Sequence, residues 1–202
     1  MEISMYIEKL VIFMGVLFPL TFSPGPASVM MAAFGARFSY KQTFPFLAGV
    51  TITVLFQSLA IGFGIAEFIY KNPTLLKYIK FTGALYIVYL AYKLFRSSRT
   101  VDVDKIKQTP KFLEGVILQL LNIKVLAFTL VLFPQFIEID LPKLNQILLL
   151  SFGNFIMVFA STSTWVLGGD WISKKFATES FIRIQGYVFG GLLIIVAIWM
   201  LM

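Results

Sequence analysis

A chain of 202 residues that is 58% hydrophobic, with a mean hydropathy of +0.86, carries more apolar surface than a soluble domain of its size can bury, so lipid must cover the remainder. The net charge of +7, from 17 basic and 10 acidic residues, sits in short segments between apolar runs, where it meets lipid headgroups and sets orientation; no basic groove for nucleic acid can be drawn. Cysteine and histidine are both absent, which excludes disulfides, thiol nucleophiles, thiolate or imidazole metal ligands and histidine-based catalysis.

The first charge-free run, Leu10 to Ala36, exceeds the roughly 20 residues that a spanning helix needs. Its length argues against a signal peptide, because the apolar core from Leu10 to Thr21 continues uncharged through Ser23-Pro24-Gly25-Pro26, with only Lys9 as a basic residue before it. The prolines remove backbone donors and the glycine adds freedom, so the helix is expected to break at Pro24-Gly25-Pro26, inside the membrane. Unpaired backbone at that depth is tolerable only where it faces protein or a water-filled cavity. A kink used purely for packing is the alternative that the residues leave open.

Gln42 to Ala66 is the second span and contains Gln57. Tyr78 to Phe95 is the third, with Lys80 within a turn of its start, from where the side chain reaches the interface. Arg96 to Lys111 follows as the only substantial hydrophilic stretch, a loop too short to be a domain. The fourth span, Gly115 to Ile137, is interrupted by Asn122-Ile123-Lys124; Leu144 to Gly169, which contains Asn154, and Ile184 to Met202 complete the set. None shows the alternation of barrel strands, so the expected fold is an all-α integral membrane protein of about six transmembrane helices. It forms a single transmembrane domain over 1–202, with repeat one at about 1–95, the loop at 96–111 and repeat two at about 112–202. With Lys80 and Lys93 counted in the connections next to them, Lys and Arg number two, six and three after spans one, three and five, against one, three, one and none at the N-terminus, after spans two and four and at the C-terminus, which predicts a cytoplasmic loop 96–111 and both termini outside.

Two halves of three spans insert with opposite orientations, and Asn122-Ile123-Lys124 holds the place in its half that Pro24-Gly25-Pro26 holds in the first. Paired interruptions in corresponding helices of inverted repeats point to a midplane transport site. Lys124 would lie about 15 Å from either end of an unbroken helix, beyond the ~6 Å reach of a lysine chain. It is therefore expected to face the bundle interior, either paired with a helix carbonyl for packing or acting on a substrate carboxylate or in proton transfer. Gln57, Gln119 and Asn154 are amides that are costly to leave facing lipid, while the hydroxyl residues of the spans read as helix–helix glue. Gly186-Tyr187-Val188-Phe189-Gly190 has small-residue spacing suited to close packing within the monomer or in a homodimer.

Ser23-Pro24-Gly25-Pro26, Tyr78-Ile79-Lys80 with Gly83-Ala84-Leu85-Tyr86-Ile87-Val88-Tyr89-Leu90, and Leu120-Leu121-Asn122-Ile123-Lys124 followed by Phe133-Pro134-Gln135-Phe136 resemble, in order and spacing, the LysE/RhtB family of amino-acid exporters. The resemblance implies proton-driven export of amino acids or their derivatives across the bacterial cytoplasmic membrane, with no cofactor, no catalytic residues and no metal. It departs from the family pattern at Ala27, where Asn or Asp is usual, at Ile123 in place of proline, and at Thr51-Ile52-Thr53-Val54, where many members carry an Asp. Those departures, with Thr43-Phe44-Pro45-Phe46-Leu47, look closer to the branch associated with neutral substrates such as cysteine and O-acetylserine. The expected substrate-binding or gating residues are Pro24, Gly25, Pro26, Asn122, Lys124, Gln57 and Asn154. A divalent metal-ion exporter of similar architecture is the competing reading, although Glu67 and Glu114 lie near span ends and no secure span has a central carboxylate.

Overall fold

The structure is a computed structural model that describes residues 2–22, 25–65, 71–99, 109–137, 141–175 and 179–201. The described residues are almost entirely helical: α1 (Glu2–Phe22), α2 (Pro26–Ala60) running into a π-helical turn (Ile61–Ile65), α3 (Pro73–Arg99), α4 (Phe112–Leu120), α5 (Ile123–Gln135), α6 (Lys143–Lys175) and α7 (Glu179–Leu201). Large apolar side chains such as Val11, Phe56, Phe63, Phe81 and Ile195 point outward, while Thr43, Ser58, Gln119, Ser151 and Asn154 are fully enclosed. Polar side chains buried in the interior under an exterior of large apolar ones are the arrangement that lipid, not water, stabilises.

Helix α2 turns back on itself. Ser39 has φ 66° and ψ 169°, outside helical space, and the Thr43 hydroxyl donates to its carbonyl at 2.7 Å. The rings of Phe34 and Phe46 lie 4.9 Å apart, whereas an unbroken helix would separate those positions by about 18 Å. Residues 26–38 (α2a) and 40–60 (α2b) are therefore two helices joined by a one-residue turn. The first predicted run is divided between α1 and α2a, and the second becomes α2b with the π-helical turn. Lys143–Lys174 is long and apolar enough to cross a bilayer, Pro26–Gly64 is so when its two arms are counted together, and α4 with α5, bent by 60°, qualifies as a third span when the pair is taken together.

Helix α6 lies against α1 and both arms of α2, α4 against α2b, and α3 against α7. At one end of the bundle the contacts are backbone against backbone. A Cβ on Gly35 would come within 2.1 Å of the Val166 carbonyl oxygen, and one on Gly169 equally close to that of Ala32. Gly49 and Gly115 make the same reciprocal approach to the carbonyls of Phe112 and Phe46. At the other end the seal is aromatic: Phe13 meets Phe133 and Phe136 edge to face, with centroids 6.2 and 5.1 Å apart, among Ile61, Ile147 and Leu150. Gly190 packs on Phe95, so that end of the small-residue motif is used within the monomer.

Candidate functional site

Between these two seals, the interruptions of the two halves meet. Helix α1 stops at Phe22 and α2a begins at Pro26, with Gly25 extended at φ −166° and ψ −178° as its N-cap. Pro26 has no N–H to lose at this first position, and no side chain caps the helix. In the second half α4 ends at Leu120, Leu121 and Asn122 leave helical geometry, and α5 resumes with Leu126 N–H donating to the Asn122 carbonyl. The interruption thus precedes Lys124, which lies in the first turn of α5 instead of at the break itself.

Lys124 folds over Gly25: a Cβ there would lie 2.9 Å from its Cδ and 3.3 Å from its Nζ. The extended φ at Gly25 suits any residue, so the glycine is required for space. Gly25, Pro26, Ala27 and Ser28 from one break and Gln119, Asn122 and Lys124 from the other line a common cavity, with Thr21 of α1 and Ser161 and Thr162 of α6 completing its polar wall. The cavity holds about 30 Å³, room for a water and too small for an amino acid. In this form the cavity would have to enlarge to hold an amino acid.

The electrostatics follow from the helix ends. The N-terminus of α2a and the Lys124 ammonium give the cavity a positive pole. Carbonyls released by the breaks are met locally: Ser161 Oγ donates to the Thr21 carbonyl at 2.9 Å, and Asn122 N–H donates to the Gln119 carbonyl at 3.1 Å. Most spanning hydroxyls are satisfied within their own helix and not between helices as expected, since Thr21, Thr51, Thr53, Thr129 and Thr162 each donate to the carbonyl four residues earlier. The described lining residues include no carboxylate.

Five of the seven residues singled out in the sequence are thus placed by this cavity, directly or at one remove. Gly25, Pro26, Asn122 and Lys124 line it; Gln57 does not, but Gln119 Nε2 donates to Gln57 Oε1 at 2.9 Å, joining it to the wall. Asn154 stands apart, donating to Ser58 Oγ at 2.9 Å one turn along α6 from the lining residue Val158. Pro24 lies outside the described residues, as does Glu67. Glu114 accepts from the Lys111 N–H at 3.1 Å at the start of α4, an end-cap role that fits an interfacial position. Sequence reasoning did not single out Gln119, Thr21, Ser28, Ser161 or Thr162 for the site. Their signal was proximity to the breaks, which is plain for Thr21, Ser28 and Gln119 and absent for the two residues of α6.

A family model described as LysE type translocator matches residues 18–202. The chain is 25% identical over 135 residues to a homoserine/homoserine lactone efflux protein of Salmonella typhimurium, covering 65% of this chain and 66% of that relative, just under two thirds of its length. It is 23% identical to a cysteine/O-acetylserine efflux protein of Salmonella paratyphi A, over 76% of this chain and 78% of the relative. A leucine efflux protein of Salmonella choleraesuis is 24% identical, over 85% and 84%. No solved structure matches the chain.

Proposed function

We infer that this chain, which belongs to the LysE type translocator family, is a secondary active exporter of amino acids or their derivatives in the bacterial cytoplasmic membrane, coupled to protons and suited to neutral substrates. The observation that carries the reading is the meeting of two interrupted helices, one from each half, at a small cavity whose charged group among the described residues is Lys124. The relatives named above export homoserine and its lactone, cysteine and O-acetylserine, and leucine. A substrate carboxylate is matched by the ammonium of Lys124 and the N-terminus of α2a, as half-helix ends serve anionic groups in other transporters. A second cationic group on the substrate would have no carboxylate among the described lining residues, which disfavours basic amino acids. Amides, hydroxyls and a lysine are likewise a poor donor set for a divalent metal ion.

Transport requires the cavity to enlarge and open to each side in turn. Our reading has six spanning helices in two repeats, with one half rocking on the other about the breaks. The positive-inside rule assigns the Ser39 turn and the glycine crossings to the cytoplasmic side and the phenylalanine cluster to the outer side. Inside-out vesicles presented with labelled homoserine, O-acetylserine, leucine and lysine, with and without a pH gradient, test the reading. Gradient-dependent accumulation of neutral members over lysine is expected. Accumulation of none of them would contradict it.

A further inference from the structure

A relay of three amides fixes what Asn122 can offer to the cavity. It starts at the Gln119 backbone carbonyl, in the last turn of α4, which can only accept. Gln57 Nε2 donates to that carbonyl at 3.5 Å, so Gln57 must turn its NH2 group there and present Oε1 to the Gln119 side chain. Gln119 Nε2 donates to that oxygen at 2.9 Å, which leaves Gln119 Oε1 to receive Asn122 Nδ2 at 3.2 Å. Each amide has one donating and one accepting end, so the direction set at the carbonyl passes along the chain. Reversing it would set oxygen against oxygen at the first link. The remaining atom is Asn122 Oδ1, which is enclosed and makes no hydrogen bond among the described residues. Asn122 itself is 2% exposed and lines the cavity.

A buried acceptor without a donor is destabilising, and a ligand that supplies one relieves it. We propose that Asn122 Oδ1 receives the ammonium of an α-amino acid substrate, and that Gln119 and Gln57 are positioning residues that keep the oxygen turned toward it. The inference rests on the exporter reading and deepens it: the positive pole takes the carboxylate, while a neutral acceptor takes the amine. The relay thereby selects for the amino group itself and not merely for an anion.

Binding to the purified full chain, measured by calorimetry, tests this with homoserine and leucine, each against the acid that lacks the amino group, 4-hydroxybutanoate and 4-methylpentanoate. The wild type is expected to prefer the amino acid. Asn122→Leu is expected to lose about tenfold of that preference and Gln119→Leu a smaller part in the same sense, because it leaves Asn122 in place but free to turn. A preference that is unchanged in both variants, or absent from the wild type while amino acids bind, would overturn the assignment of Asn122 and leave the exporter reading standing. Failure of the wild type to bind either amino acid would instead sink the exporter reading and this inference with it. Should Asn122→Leu not fold, the wild-type and Gln119→Leu comparison decides alone.

Discussion

At Gly25 the constraint is the Lys124 side chain 2.9 Å from where a Cβ would sit, not the extended backbone. Gly25→Ala is therefore expected to leave thermal stability in detergent close to that of the wild type, since a flexible lysine can give way, while weakening substrate binding by roughly tenfold as the ammonium is displaced. Equal loss of both would mean that Gly25 serves folding alone. Lys124 was legible because a charge inside a long apolar run needs a reason, and Gly25 and Pro26 because glycine and proline disrupt helices by covalent structure. Asn154 was less informative: an amide in a span must find a partner, but sequence does not say whether that partner is a substrate or, as here, Ser58. Gln119 stood out as an amide beside Gln57 and Asn154, but its place at the site became plain only with its partners Gln57 and Asn122.

Helical elements were readable from their apolar runs, and their subdivision was less so. The Ser39 turn has neither proline nor glycine to mark it, and the chain reverses there on a single residue with positive φ. The expected connection between spans one and two fell at the right place, but its tightness depends on how Phe34 and Phe46 pack. The paired glycines define a second property of the elements. Gly35, Gly49, Gly115 and Gly169 each face a carbonyl oxygen on the neighbouring helix at 2.1 Å from an added Cβ, and backbone cannot yield as a lysine can. Alanine at any of the four is expected to cost about 1–3 kcal/mol of stability, the range for overpacking, read as a lowered unfolding temperature of the purified protein. Gly168→Ala, where an added Cβ meets nothing within 4 Å, is the control and should change little.

For the molecule as a whole, a cavity of about 30 Å³ has to enlarge to hold a substrate, and parting one of its two packed ends is the way to do so. The glycine end is joined through backbone, whereas the phenylalanine end is joined through side chains that can rotate, so the latter should open at lower cost. The absence of cysteine makes this measurable: Phe133→Ala in a Ser28→Cys background should speed labelling by a membrane-impermeant thiol reagent added from outside, and an unchanged rate would place the outward path elsewhere. On the proposed function, Lys124, at the junction of the two broken helices, acts on the transported molecule. The direct measurement is efflux of a labelled neutral amino acid from proteoliposomes holding equal amounts of wild type and Lys124→Met, each first checked for its unfolding temperature. The variant is expected to fold as well as the wild type and to export roughly 10- to 100-fold more slowly, the scale of a lost charge-assisted hydrogen bond. Wild-type efflux by a folded Lys124→Met protein would contradict it.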